Sequence, residues 1–379
     1  MSFRLTAEHD AVRQAVREFG EKEMRPVARE HDESKEYPES LRRQAAELDF
    51  VAPHIPEEYG GAGMDPLSRI IVTEELWRAD PGIGSAIGSA GFGSSMILEY
   101  GDEWMKEEWL PRIASGDSAS CSCISEPAHG SNVAGMETRA EKDGDDWVIN
   151  GTKMWITNGT IADVAVVMAK TDPGAGHRGI TAFLVPTDTD GFSPTKIDNK
   201  LGIRASDLAE ITLSDVRIPE ANVIGEENKG FYQLMDFFAS GRTSVAAQAV
   251  GAAQGALDAA VDYANEREQF DQKIGEFQAI RHKLADMATQ VEAGRSLVYR
   301  AASHVAEDKD DEAVRLASMA KYFCSEMSVD VADEGLQVHG GAGYVTDHPA
   351  ERFYRDARIT KIYEGTSEIQ KNIIADRLL

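Results

Sequence analysis

The spacing of apolar residues changes twice along the chain, and this change restricts the fold more than any other feature. Over the first 117 residues apolar side chains recur every three or four positions, which predicts helices. From about residue 118 to 229, short apolar runs alternate with Asp, Gly and Pro clusters, which predicts strands. Long helical segments return from residue 230, a pattern typical of a bundle. At 379 residues the chain exceeds the size of a single core, so we predict two or three lobes.

Individual elements follow from local signals. Thr6 is a suitable cap for the first helix, a second helix is predicted from Pro66 through Trp77, and a third across residues 85–100. Asn150-Gly151 stands between two apolar runs and predicts a hairpin turn. The other predicted elements are strands at 164–168, 181–185 and 209–213, and helices at about 230–264, 276–307, 311–336 and 367–377.

The charge balance excludes several kinds of partner. With 39 basic and 65 acidic residues the net charge is −26, so no basic surface is expected for nucleic acid or for anionic lipid. The acids are dispersed, and 15 lysines stand against 24 arginines. We interpret this surface as adapted to concentrated salt, where screening weakens repulsion between like charges. The alternative is an ordinary, moderately acidic protein.

Neither metal nor membrane motifs are found in the sequence. Cys121, Cys123 and Cys324 fit neither structural zinc spacing nor a secreted disulfide framework, and the nine histidines form no metal-binding pair. The N-terminus enters an amphipathic helix directly, and no apolar run reaches the length of a membrane span. We therefore expect no metal and a soluble, cytoplasmic protein.

Three segments carry the strongest functional signal. They are Ser125-Glu126-Pro127-Ala128-His129-Gly130-Ser131, Met154-Trp155-Ile156-Thr157-Asn158-Gly159 and Ile362-Tyr363-Glu364-Gly365-Thr366-Ser367-Glu368-Ile369-Gln370. A glycine-rich loop alone is weak, because glycine serves any tight turn. Together and in this order, the segments make the chain similar to the acyl-CoA dehydrogenases.

This resemblance implies a fold and an activity. The fold would be mainly α with a central β-barrel, divided into a helical domain (1–117), a β-barrel domain (118–229) and a four-helix bundle (230–379). The activity would be FAD-dependent oxidation of acyl-CoA to trans-2-enoyl-CoA, with electrons passed to an electron-transferring flavoprotein. The assembly would be a homotetramer, built as a dimer of dimers. The segment over residues 200–206 most resembles short- to medium-chain or short branched-chain members.

Three other functions are alternatives to this dehydrogenase activity. An acyl-CoA oxidase shares the fold, but the usual oxidase chain is longer, with extra C-terminal helices. A non-catalytic flavin-binding homologue would not need Glu364, and an acidic adaptor protein would leave the three ordered segments unexplained.

Glu364 is the candidate base. Taken alone it is more typical of a solvated loop acid, but in the resemblance it occupies the catalytic position and would remove a proton from the substrate Cα. Burial beside the flavin would raise its pKa, as a base acting near neutral pH requires. Some members carry the base on the preceding long helix, where Gly241 and Ala239 cannot act. Ser367 and Gln370 predict a capping box for the last helix.

The remaining candidate residues come from the resemblance. Arg242, Ser131 and Gly365 are expected to contact acyl-CoA. Taken alone, the other segments also fit ordinary turns, a core Trp and a solvated helix end. The resemblance also names residues that would bind FAD, and those from Arg267 to Gln337 would contact the FAD of a neighbouring subunit. The full set is Ser122, Cys123, Ile124, Ser125, Gly130, Ser131, Trp155, Ile156, Thr157, Arg267, Gln269, Phe270, Phe277, Gln278, Gln337, Gly340, Gly341, Thr366 and Glu368.

Overall fold

The N-terminal part of the chain is helical. A computed structural model describes residues 5–307 and 311–379. Thr6 caps the first helix as predicted, accepting a hydrogen bond from the His9 backbone N–H. Asp65 caps the fourth in the same way, accepting from Leu67 and Ser68. The helices are α1 (Ala7–Phe19), α2 (Ala28–Ser34), α3 (Glu39–Glu47), α4 (Pro66–Ala79), α5 (Pro81–Gly88), α6 (Ser94–Tyr100) and α7 (Glu103–Ala114).

The single helix predicted over residues 85–100 is wrong. The structure has two helices there, α5 and α6, separated by a turn that ends at Gly93. Gly93 has a φ of 103°, a conformation that glycine adopts without strain and that interrupts a helix. A Cβ at Gly93 would lie 2.5 Å from the Ser122 hydroxyl, so the break brings this turn close to the central sheet.

The middle of the chain forms an eight-stranded sheet. Its order is β6-β7-β3-β2-β4-β5-β8, and β1 pairs with β4 in parallel. Predicted strands at 164–168, 181–185 and 209–213 are confirmed as β4, β5 and β7. The strands are β1 (Ser120–Cys123), β2 (Arg139–Asp143), β3 (Asp146–Thr157), β4 (Val164–Lys170), β5 (Ile180–Pro186), β6 (Phe192–Lys196), β7 (Leu208–Pro219) and β8 (Val223–Ile224).

The expected closed barrel is not what the described strands form. The sheet is open, with β6 and β8 at its two ends. β8 has only two residues, so it offers few backbone N–H and C=O groups that could pair with β6 and close the sheet into a barrel. β6 contains Pro194, which lacks an N–H donor and is typical of an edge strand.

The hairpin predicted at Asn150-Gly151 is also wrong. Both residues lie inside β3, where the register against β7 shifts between Ile149 and Gly151. A Cβ at Gly151 would lie 2.8 Å from the Thr138 Cα, so the position requires glycine for close packing. The same dipeptide thus forms a β-bulge, and the reversal between β2 and β3 occurs at Gly144-Asp145.

The C-terminal part is a set of long helices whose predicted limits are confirmed to within three residues. Small residues on α8 let α4 approach closely, because a Cβ at Gly251 would lie 2.2 Å from the Glu74 carbonyl oxygen. A two-stranded ribbon, β9 (Glu268–Gln269) and β10 (Gln272–Lys273), follows α8. The helices are α8 (Gly230–Glu266), α9 (Gln278–Glu307), α10 (Asp311–His339), α11 (Ala350–Ala357) and α12 (Ser367–Asp376).

Four apolar clusters of the described residues hold these parts together. One joins α1–α7 to a face of the sheet, one lies among α4, α8, α9 and α10, one lies within the sheet, and a small one joins α8, α10 and α11. Across residues 5–307 and 311–379, no helix is long and apolar enough to cross a membrane. In the same ranges no group of three or more His, Cys, Asp or Glu residues could hold a metal ion. Cys121, Cys123 and Cys324 are buried free thiols.

Candidate active site

Glu364 lies in a tight turn just before α12. Its φ is 53° and that of Gly365 is 88°, so two consecutive residues adopt the left-handed conformation. This conformation costs a non-glycine residue roughly 1–2 kcal/mol, so the surrounding contacts must hold it. Three side-chain hydrogen bonds do so. Lys321 Nζ donates to the Gly365 carbonyl oxygen (2.7 Å), and Gln370 Nε2 donates to the carbonyl oxygens of Gly365 (3.0 Å) and Glu364 (3.2 Å).

The cap of α12 differs from the prediction by one residue. Thr366 is the cap, and its hydroxyl accepts a hydrogen bond from the Ile369 N–H at 3.4 Å. Ser367 instead donates to Glu326 Oε1 at 2.7 Å, and Gln370 faces the Glu364 turn. The expected Ser367–Gln370 capping box is therefore wrong, because both side chains are engaged in tertiary contacts.

The Glu364 carboxyl group is unusually basic for its type. Oε2 is buried and has no hydrogen-bond partner among the described residues. Burial raises the pKa of Glu364 to about 7, against the opposing positive charges of Arg242 and Lys321. The sequence predicts this direction and this cause. Near neutral pH such a group can take up or release a proton, as a general base must.

Two buried cations face Glu364. Burial lowers the pKa of Arg242 to about 10 and that of Lys321 to about 8, and in both cases the charge of Glu364 opposes the shift. Arg242 Nε is buried without a hydrogen-bond partner in the described structure. Orphaned polar atoms on both Arg242 and Glu364 indicate a site built for a ligand, since buried polar groups are normally paired.

Gly241 forms the opposite wall of this site. A Cβ at Gly241 would lie 2.9 Å from Glu364 Oε2. Gly241, named above with Ala239 as an alternative position for the base, thus adjoins the Glu364 carboxyl group. The absence of a side chain at Gly241 leaves the room that this carboxyl group occupies.

The segment that follows β1 lies against the C-terminal part of β3. The Met154 N–H donates to the Ser125 carbonyl oxygen at 2.9 Å. Beside this contact, Lys153 Nζ donates to Glu126 Oε1 at 2.9 Å, and both side chains are buried. Glu126 also accepts from the backbone N–H groups of Glu137 (2.5 Å) and Thr138 (3.0 Å). Burial opposes ionisation of Glu126, but Lys153 and these hydrogen bonds outweigh it and hold its pKa at about 2.

These segments offer surfaces that fit FAD. Trp155 is 60% exposed, so it is not the ordinary core residue that a strand Trp usually is. The Ser122 hydroxyl is buried and has no hydrogen-bond partner among the described residues. A Cβ at Gly130 would lie in open space. Gly340 and Gly341 are equally open, but they follow α10 and lie outside these segments. An exposed aromatic face, an orphaned hydroxyl and open glycine backbone suit a planar ring with a diphosphate.

The remaining FAD candidates lie elsewhere in the chain. Thr366 and Glu368 adjoin the Glu364 turn, and Cys123, Ile124, Ile156 and Thr157 lie on or just after β1 and at the end of β3. The other candidates lie in or near the ribbon, at the start of α9 and at the end of α10, and among the described residues no hydrogen bond joins them to that turn. Phe270 is the most exposed of them, at 87%, and its ring lies edge-on to Phe277. These candidates are Arg267, Gln269, Phe270, Phe277, Gln278, Gln337, Gly340 and Gly341.

Sequence reasoning missed four polar residues around the site. Lys153 and Glu126 join β3 to the segment after β1, and Lys321 and Gln370 hold the Glu364 turn. One signal was available for Lys321, which follows the run Ala317-Ser318-Met319-Ala320 on a helix of small, apolar residues. A lysine on such a face is rarely buried unless it has a partner.

The site thus combines a buried, near-neutral carboxyl group with an exposed aromatic face and an orphaned hydroxyl, features that an enzyme with a planar cofactor could use. The sequence matches the N-terminal (residues 6–117), middle (121–216) and C-terminal (228–379) domains of acyl-CoA dehydrogenase. The chain belongs to the acyl-CoA dehydrogenase family, whose members are FAD-dependent enzymes.

Individual relatives match this chain along its whole length. The short-chain specific acyl-CoA dehydrogenase of rat mitochondria is 42% identical over 380 residues, covering 100% of this chain and 92% of the relative. The solved butyryl-CoA dehydrogenase of Megasphaera elsdenii is 38% identical with a TM-score of 0.95, covering 100% of both chains. A chain in a structure described as the electron transferring flavoprotein of Acidaminococcus fermentans is 40% identical with a TM-score of 0.96, again covering 100% of both.

Proposed function

We propose that this enzyme removes two hydrogens from the Cα and Cβ atoms of a short-chain acyl-CoA thioester, giving trans-2-enoyl-CoA. The observation that carries this proposal is the Glu364 carboxyl group, buried, unpaired at Oε2 and with a pKa raised to about 7. Such a group is suited to accept a proton from a carbon acid near neutral pH.

The reaction assigns a distinct task to each part of the site. Glu364 accepts the Cα proton, and the backbone N–H of Glu364 donates a hydrogen bond to the thioester oxygen, where negative charge develops. FAD, when bound, supplies the acceptor for the hydride that leaves Cβ. Arg242, with its unpaired Nε, contributes positive charge beside the base and substrate.

FAD would lie against the segment after β1 and the C-terminal part of β3. Trp155 would cover the ring system, the Ser122 hydroxyl would acquire a partner, and Gly130 and Ser131 would approach the phosphates. The ribbon and the end of α10 would contact the FAD that is bound by a neighbouring subunit. The 87% exposure of the Phe270 ring supports this, since large exposed apolar groups favour burial in an interface. This arrangement requires at least a dimer, and the family resemblance supports a homotetramer of three-domain subunits, divided after residues 117 and 229.

A preference for short acyl chains is supported by an aromatic pair. Phe237 and Gly241 are four residues apart on α8 and so share a face, about 6 Å apart along the axis. Phe237 packs edge-on against Phe92, with ring centroids 5.3 Å apart. Phe92 adjoins Gly93, whose Cβ would lie 2.5 Å from the Ser122 hydroxyl. We infer that the two rings close the acyl cavity between the base and the FAD loop.

An electron-transferring flavoprotein is the proposed acceptor of the electrons. The resemblance to a chain in a structure described by that name supports this choice over oxygen. The acceptor test compares reoxidation of reduced enzyme by such a flavoprotein with reoxidation by air. Reoxidation by air at the rate of turnover would favour the oxidase alternative.

Anaerobic titration tests the reaction itself. The purified, FAD-loaded protein is mixed with butyryl-, octanoyl- or palmitoyl-CoA, and the flavin absorption is recorded. We expect butyryl-CoA to bleach the flavin at near-stoichiometric amounts, and palmitoyl-CoA to bleach it poorly. A flavin-loaded protein that no acyl-CoA bleaches would contradict the proposed function.

A further inference from the structure

The two carbonyl groups of the Glu364–Gly365 turn are held by side chains from different helices. Lys321 belongs to α10 and Gln370 to α12, and both are fully buried. Their donors converge on the Gly365 oxygen, at 2.7 Å from Lys321 Nζ and 3.0 Å from Gln370 Nε2. Gln370 reaches the Glu364 oxygen as well, at 3.2 Å. We call these three hydrogen bonds the turn clamp.

The clamp acts where the backbone is least stable by itself. Glu364 is a non-glycine residue in the left-handed conformation, followed by a second left-handed residue. Without fixed donors for its carbonyl groups, this turn would relax toward an ordinary conformation and redirect the Glu364 side chain. The carboxyl group now faces Gly241, where no side chain competes for its space.

A buried ammonium group is an expensive way to hold a carbonyl oxygen, because a neutral donor would avoid the cost of desolvating a charge. The cost of burying the Lys321 charge therefore depends on the charged groups around it. Lys321 is surrounded by Glu364, Glu326, Arg242 and Glu368. Glu326 is already engaged, since it pairs with Lys361 and accepts from Ser367.

We propose that Lys321 is a positioning residue for catalysis: through the turn clamp it fixes the direction of the Glu364 carboxyl group, and through its charge it favours the ionised form of that group. This inference rests on the proposed role of Glu364 as the base. The charged groups that face Glu364 are Arg242 on α8 and Lys321 on α10, with the Tyr363 phenol beside it. Loss of one of two facing cations leaves burial less opposed, so Glu364 would ionise at higher pH.

Three substitutions separate direction from charge. Lys321→Met keeps much of the apolar stem but removes both donor and charge. Lys321→Gln keeps a donor without the charge. Gln370→Leu removes the second donor of the clamp and leaves every charge in place. Lys371→Met is the matched control, because Lys371 lies on α12, is exposed and contacts Tyr322 outside the clamp.

Two measurements are made on the FAD-loaded enzymes. One is the pH profile of kcat with butyryl-CoA. The other is the titration of the Glu364 carboxyl group by NMR of carbon-13-labelled glutamate, assigned by comparison with Glu364→Gln. For Lys321→Met we expect a loss of about tenfold or more in kcat, and an acidic limb and carboxyl titration displaced upward by about half a pH unit or more. For Gln370→Leu we expect reduced kcat with the titration unchanged.

Several outcomes would overturn the inference. Wild-type kcat and an unmoved titration in Lys321→Met would do so, as would equal effects in Lys371→Met. If Lys321→Met does not fold, Lys321→Gln decides, because an unmoved titration in that variant removes the role of charge. Failure of the proposed function looks different: the wild-type flavin would not bleach, or Glu364→Gln would turn over normally.

Discussion

The Glu364 carboxyl group fills the space that a side chain at Gly241 would need, because a Cβ at Gly241 would lie 2.9 Å from Glu364 Oε2. At that distance one of the two groups must move. The flexible end of Glu364 would yield more easily than the α8 backbone, and the carboxyl group would leave the direction that the turn gives it. The identity of residue 241 is therefore part of the active site, although glycine has no side chain to contribute.

Gly241→Ala is expected to lower kcat by about tenfold while leaving FAD binding intact, because displacement of a general base by a fraction of an ångström weakens proton transfer. Steady-state kinetics and the flavin absorption of the purified variant measure both quantities. Gly88→Ala is the control, since a Cβ at Gly88 meets no atom within 4 Å. Equal kcat for Gly241→Ala and wild type would mean that the crowding is relieved without consequence.

Glu364→Gln should retain FAD and lose most turnover. General-base catalysis typically contributes about 10²–10⁴-fold, so a reduction in that range is expected. The measurement is kcat with butyryl-CoA at constant flavin content. Near-wild-type turnover would show that another group removes the proton.

The raised pKa of Glu364 also predicts a pH dependence of activity and stability. The base must be ionised, so kcat should rise as pH increases through about 7. The folded-state pKa lies above the ordinary value of 4.5, so the neutral form is favoured in the fold. The stabilisation is complete below about pH 4.5 and is lost as pH rises through 7.

Comparison with Glu364→Gln isolates this contribution. As pH rises from 4.5 to 7, the free energy of unfolding of the variant should increase relative to wild type by up to about 3 kcal/mol. Above pH 8 this difference should stay constant. Urea unfolding of both proteins at each pH gives the difference. A constant difference across this range would contradict the raised pKa.

Phe237→Ala should lengthen the acyl chain that the enzyme accepts. Removal of the ring opens the space next to Phe92, so kcat/KM for octanoyl-CoA should increase relative to butyryl-CoA by about tenfold. Phe231→Ala, on the same helix but packed against His177, should leave the ratio unchanged. An unchanged ratio in Phe237→Ala would place the end of the cavity elsewhere.

Arg267→Ala should release FAD and weaken subunit association together, since one ligand bridges two subunits in the proposed assembly. Light scattering and flavin absorption follow the two effects on one sample. Arg217→Ala serves as the control, because this exposed arginine lies on β7, away from the ribbon, and pairs with Asp143 and Asp146. A wild-type protein that is a fully flavinated monomer would contradict the assembly.

Salt should stabilise the protein strongly. With a net charge of −26, repulsion acts over about 30 Å at 0.01 M salt and over about 3 Å at 1 M. The melting temperature should rise steeply with potassium chloride, and flavin release should move with it. A flat melting temperature would show that the acidic surface is incidental, and a sucrose series separates charge screening from general stabilisation.

The helical parts were predictable because long segments repeat their apolar residues at a helical spacing, as in α8 and α10. Asn150-Gly151 was misjudged because the dipeptide fits either a hairpin turn or a bulge, and contact with Thr138 decides between them. The role of Lys321 was hidden for a related reason. Its partner Gly365 lies 44 residues away, and only the packing of α10 beside α12 brings them together.

The Glu126–Lys153 pair limits which substitutions this sequence can tolerate during evolution. Loss of either side chain alone leaves a buried charge without its partner, which costs about 3–5 kcal/mol. Replacement of both by apolar side chains of similar volume avoids that cost, but no single substitution reaches this state without passing through the unpaired one. We therefore expect the segments that carry Glu126 and Lys153 to be inherited as one unit, with variation at either position accompanied by variation at the other.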